Sequence, residues 1–121
     1  MDSHGGWIAT ATDLARLLVR VDGFPGKPDM LSAASITAMT TPSTANANYA
    51  CGWSVNSANN WWHTGSLPGT ATEMVRASNG FCWVLLCNTR SSINQFWTDL
   101  DELIWKAVND STTQWPTTEL F

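Results

Sequence analysis

The chain has 121 residues, eight of them tryptophan, a formal net charge of −4 and only 13% charged residues. That length suits one domain with a sizeable core, and so few charges beside so many large aromatics imply an extensive interior or a surface meant to be covered. Six basic residues scattered singly through an acidic chain argue against nucleic acid and anionic membranes as partners, and no apolar run approaches the roughly twenty residues that a membrane helix needs.

The start, Met1-Asp2-Ser3-His4-Gly5, has neither a basic nor an apolar segment and does not read as a signal peptide. His4 falls at a terminus expected to fray and is assigned no role. Thr10-Ala11-Thr12-Asp13 is a capping-box pattern with an acidic residue at its fourth position. Leu14, Leu17, Leu18 and Val21 follow at helical spacing, Gly23 ends the run, and Arg16 and Arg20 mark the solvent side. Phe24 to Asp29 reads as a loop. Ser32 then caps a short helix that carries Ile36 and Met39 and stops before Pro42.

From Tyr49 the period becomes extended. Strands are predicted at about Tyr49 to Val55, Asn60 to Ser66, Ala71 to Ala77 and Phe81 to Asn88, with turns at Ser57-Ala58-Asn59 and Ser78-Asn79-Gly80. Consecutive hairpins make the sheet antiparallel. The last strand is apolar on both faces and is expected to be central and covered on both sides. Ile93, Phe96, Trp97, Leu100, Leu103, Ile104, Ala107 and Val108 form an apolar helical stripe opposite Asp99, Asp101, Glu102 and Lys106. The fold class is therefore α+β: an antiparallel sheet of three to four strands, a long C-terminal helix on one face and two short N-terminal helices. Residues 1–121 read as a single domain.

Cys51, Cys82 and Cys87 are odd in number and lack Cys-x-x-Cys spacing, so neither a disulfide framework nor a zinc site is indicated, and all three read as buried, inert thiols. No metal or other cofactor is expected. Glu73 has no carboxylate partner in sequence, and Asp2 and Arg76 read as solvated. The candidate site lies at Trp61-Trp62-His63-Thr64-Gly65-Ser66-Leu67-Pro68-Gly69. An aromatic strand ends there on a histidine and two hydroxyls, and Gly65, without a Cβ, leaves the main chain open to a second molecule.

Five segments in order, Gly5–Leu18, Leu31–Met39, Tyr49-Ala50-Cys51-Gly52-Trp53, His63-Thr64-Gly65 with Leu67-Pro68-Gly69, and Val84–Arg90, resemble the C-terminal part of the serine β-lactamase, penicillin-binding protein and esterase superfamily. The resemblance covers residues 5–90, with the C-terminal helix beyond. It implies that His63 occupies the cationic or proton-handling place of the third active-site motif and that Thr64 hydrogen-bonds a polar group of the substrate. It also implies that the Ser66 N–H, just after Gly65, is one of two oxyanion-hole donors. Histidine, unlike lysine, carries no permanent charge near pH 7, which favours an esterase, peptidase or amidase parent over a carboxylate-binding lactamase.

The family's nucleophile motif, Ser-x-x-Lys, is missing: Phe24 and Leu103 stand three residues before the only lysines, Lys27 and Lys106. Tyr49 is the only tyrosine, and Cys51 stands where a Tyr-x-Asn motif needs Asn. The resemblance thus implies a C-terminal fragment of a β-lactamase-like serine hydrolase, inactive alone, that takes a small acyl or peptide-like ligand. Its partner would be a complementary chain supplying the missing part, or a second copy in a homodimer. The alternative is a free-standing binding or interaction module on the same scaffold. Localisation stays open, although the parent family is often exported in bacteria.

Overall fold

The computed structural model describes residues 5–118; Met1, Asp2 and His4 lie outside them. Its elements are α1 (Ala11–Leu18), α2 (Ala33–Thr40), β1 (Ser54–Val55), β2 (Trp61–Leu67), β3 (Thr70–Arg76), β4 (Cys82–Cys87) and α3 (Asn94–Val108). The four strands form one antiparallel sheet in the order β1-β2-β3-β4.

Local chemistry sets the helix starts. The Thr10 hydroxyl accepts from the Asp13 N–H, and the Asp13 carboxylate accepts from the Thr10 N–H, both at 3.1 Å. These reciprocal bonds satisfy two orphan donors of α1, and the Thr10 hydroxyl, with the Thr10 N–H, donates to the Asp13 carboxyl and holds it below its ordinary value. Ser32 accepts from the Ser35 N–H and caps α2 without a reciprocal bond back to its own N–H. α1 ends at Leu18, before Val21, and the chain turns through Gly23 at φ +73°. The hairpin between β3 and β4 closes over Asn79 and Gly80, with Gly80 at φ +98° and a 2.9 Å bond from the Ala77 N–H to the Phe81 carbonyl.

Strand pairing sorts the side chains onto two faces. Trp61, His63 and Gly65 pair with Arg76, Met74 and Thr72, which in turn pair with Cys82, Val84 and Leu86. On this face Leu18, Ile36, Trp53, Val55 and Trp61 form a buried cluster, so α1 and α2 cover it. Trp62, Thr64 and Ser66 pair with Val75, Glu73 and Ala71, which meet Trp83, Leu85 and Cys87. There Val75, Ala77 and Trp83 pack against Ile104, Trp105 and Val108 of α3. The Trp83 and Trp105 rings meet edge to face at 4.9 Å.

Five expectations change. The strand predicted at Tyr49 to Val55 shrinks to Ser54–Val55, because Gly52 at φ +81° folds Tyr49 to Trp53 into a tight turn closed by an Ala50 N–H to Trp53 carbonyl bond. β4 is a terminal strand, not a central one. Its two apolar faces are explained by α1 and α3 on either side, which says nothing of its edge. The α3 stripe is rotated: Leu100 is buried and Trp97, Ile104, Trp105 and Val108 are half-buried, whereas Leu103 and Ile93 are 57% and 66% exposed. Trp105 takes the inward place that the spacing had given to Leu103.

Among the cysteines, Cys51 is exposed and the other two are half-buried. Burial and the neighbouring Asp22 carboxylate push the Cys82 thiol up to about 12, so Cys82 is the inert one. Arg76 is buried, not solvated. Its guanidinium donates to the carbonyls of Asp22 and Asn59, both at 2.9 Å, and lies 3.9 Å and 4.2 Å from the ring centroids of Phe24 and Trp61. Hydrogen bonds from a charged donor and two aromatic faces offset the loss of hydration. The residue ties the end of β3 to the loop after α1 and to the β1–β2 turn.

Candidate functional site

The residues His63 to Ser66 occupy the middle of β2, where the sheet changes width. β1 pairs with β2 only at Trp61 and Trp62; beyond that point β2 has no strand on this side among the described residues. The Asn56 N–H donates to the Asn60 carbonyl at 3.3 Å, which makes these two a hydrogen-bonded pair. Antiparallel pairs alternate, so Trp62, Thr64 and Ser66 turn their N–H and C=O groups toward the β1 side, and His63, Gly65 and Leu67 turn theirs to β3. The main-chain polar groups of Thr64 and Ser66 therefore face the open edge.

The side chains of the triplet divide between the two faces. His63 is exposed on the α1 and α2 side, and its Nε2 lies 3.1 Å from the Tyr49 hydroxyl. Their rings meet edge-on at 6.2 Å. Tyr49 comes from the turn that replaces the predicted first strand, so the shortening of that strand is what brings the phenol to the imidazole. The hydroxyl donates when Nε2 is unprotonated and accepts when it is protonated, which makes the pair able to pass a proton along one hydrogen bond. An open groove of about 480 Å³ runs past His63, Gly65, Thr72 and Met74, with Leu14 of α1 and Gly52 on its walls.

Thr64 and Ser66 project to the α3 side. Arg90, in the loop after β4, donates from Nη1 to the Ser66 hydroxyl at 3.3 Å. A permanent cation thus stands beside the motif after all, supplied from another segment rather than from the His63 position. A Cβ at Gly65 would collide with the Thr72 hydroxyl of β3, so a larger residue there would force the Thr72 side chain to move. The glycine itself lines the open groove beside His63.

Behind Thr64 lies an acidic pair that sequence order concealed. Glu73 is Thr64's partner on β3, is buried at 4% exposure, and faces Asp101 of α3. Burial and the Asp101 charge push its carboxyl up to about 7, while the Trp83 indole acts in the opposite direction. Glu73 Oε2 and Trp83 Nε1 are nevertheless both buried without a hydrogen bond. The two carboxylates are 28 positions apart in the chain and meet only because α3 crosses the sheet. Among the described residues, no group of three or more His, Cys, Asp or Glu side chains is arranged to hold a metal ion, and no helix is long and apolar enough to cross a membrane.

The Beta-lactamase family model matches residues 1–108. No curated protein and no solved structure gives a match.

Proposed function

The chain belongs to the Beta-lactamase family, and from that premise we propose that it is the substrate-binding C-terminal part of a serine-hydrolase domain, without catalytic activity of its own. The observation that carries this reading is the open β2 edge beyond Trp62. There the Ser66 N–H is free to stabilise the oxyanion that develops when an acyl carbonyl is attacked. A fixed donor at that position favours the transition state over the ground state. Thr64 offers its backbone to an extended acyl or peptide-like ligand as an added strand would use it, and Arg90 beside Ser66 favours a ligand bearing a negative charge. The Tyr49–His63 pair is the proton-handling element.

Nucleophilic attack by the family's route needs a serine hydroxyl with a lysine three residues on to take its proton. No Ser-x-x-Lys occurs in the 121 residues, and His63, the one described histidine, faces a phenol. The nucleophile is thus supplied by residues outside this sequence, which pair along the open edge of β4. In the isolated chain a second copy takes that place.

Backbone amide resonances followed by NMR during titration with an N-acyl dipeptide test the edge. Saturable shifts centred on Thr64 and Ser66, abolished by Ser66→Pro with the remaining spectrum unchanged, are expected. Shifts confined to residues distant from β2 would overturn the proposal.

A further inference from the structure

Between the α3 face of the sheet and the helix lies a cavity of about 420 Å³ whose walls include Trp62, Trp97 and Trp105 together with Thr64, Glu73 and Asp101. We propose that this cavity is a binding site for an organic cation of the alkylammonium class, held between the indole walls and the Glu73 and Asp101 carboxylates. It shares Thr64 with the β2 edge but needs neither the nucleophile nor the Tyr49–His63 pair.

Three observations converge on that ligand. Glu73 is 96% buried, by difference from its 4% exposure, lines the cavity, and leaves Oε2 without a hydrogen bond. Such an atom is costly in a folded chain unless something charged or polar meets it. Asp101 adds a second carboxylate to the same cavity, and no lysine or arginine lines it among the described residues. Elsewhere on α3 the acidic residues do have partners: Glu102 pairs with Lys106 at 2.9 Å and Asp99 accepts from Gln95 at 2.7 Å. Once Glu73 ionises, the cavity holds negative charge that no lysine or arginine on its walls compensates among the described residues.

The walls then select the kind of cation. A hard metal ion takes six or more oxygens, but here only two carboxylates and the Thr64 hydroxyl are free to serve. The Asn56 and Asn60 side-chain oxygens are already occupied by the N–H groups of Ala58, Asn60 and Ser78. Indole faces attract a weakly hydrated organic cation and strip its water at little cost, and Trp is the strongest of the aromatic partners. Three of the eight tryptophans meeting two carboxylates is the combination that suits an alkylammonium group.

Binding should strengthen as Glu73 loses its proton. The titratable group that faces Glu73 is Asp101 on α3; β2 presents Thr64 to it, and β4 presents Leu85 and Trp83. With no other titrating neighbour among the described residues, the cation and the proton compete for the same carboxyl pair.

Choline and its uncharged isostere 3,3-dimethylbutan-1-ol separate charge from shape. Titrated into the protein and followed by the indole N–H resonances, choline should shift those of Trp62, Trp97 and Trp105 saturably. The neutral isostere should bind at least tenfold more weakly, and choline affinity should rise severalfold from pH 6 to pH 8. Glu73→Gln and, on the exposed side of the cavity, Asp101→Asn should each weaken choline tenfold or more while leaving the distant Trp53 resonance in place. Equal affinity for the two probes, choline binding unaffected by Asp101→Asn, or no saturable shift at high millimolar choline would each overturn the proposal.

Discussion

Replacing Glu73 by Gln should flatten the pH dependence of stability between about pH 4.5 and pH 7. In the folded chain burial and the Asp101 charge keep the Glu73 proton up to about 7, against an ordinary value of 4.5. Between those limits the native state binds more protons than the unfolded state, so stability falls as pH rises and levels off once the folded carboxyl has ionised. The difference corresponds to about 3 kcal/mol at most. Because Asp101 shares the site, the transition belongs to the pair rather than to one residue. Asp22, also raised by burial, adds a contribution of the same sign toward the acid end. Gln keeps the shape of protonated Glu73 and a donor toward Asp101, but cannot ionise. Urea unfolding at intervals from pH 4.5 to pH 8 should give nearly equal stabilities for the two proteins at the acid limit, and a variant more stable by about 2–3 kcal/mol at pH 8. Parallel curves, or a wild type that gains stability over this range relative to the variant, would refute the account of the buried carboxyl.

Leu100→Ala should cost about 2–5 kcal/mol in denaturant unfolding, whereas Leu103→Ala, at a position 57% exposed, should stay within about 0.5 kcal/mol. Equal effects would mean that α3 is rotated away from the face described. The open β4 edge, beside Leu86 at 41% exposure, should make the isolated chain self-associate, since unpaired edges and apolar surface are seldom left in water. Sedimentation across a dilution series should resolve a monomer–dimer equilibrium, and a single monomer at high micromolar concentration would contradict it.

The parts of this molecule legible in the sequence are those set by neighbours along the chain. The Thr10–Asp13 capping box, the Ser32 cap and the Asn79-Gly80 turn depend on residues a few positions apart, and the structure forms all three. Period-two patterning likewise locates β2, β3 and β4 to within a residue, and helical patterning places α3, expected over 91–110, to within three. What stayed hidden depends on which elements become neighbours in space. Two-faced apolarity in β4 reports cover above and below, not lateral pairing, so an edge strand looked central. Arg76 reads as solvated until Phe24, Trp61 and two loop carbonyls are gathered around it. Glu73 and Asp101 seem isolated until α3 lies across the sheet, and Tyr49 reaches His63 only because Gly52 turns the chain. For the site itself, the motif identified the segment, but strand alternation divided it: His63 went to one face, and Thr64 and Ser66 to the other. Arg90 carried no local signal tying it to Ser66.

Intact-mass spectrometry of the 121-residue chain, after prolonged incubation with a penicillin-type acylating probe, decides whether the substrate-binding edge stands without its own nucleophile. The mass should stay unchanged, because no serine in the chain has a lysine three residues after it. A stoichiometric increase equal to the acyl group, mapped to a serine or threonine, would contradict it.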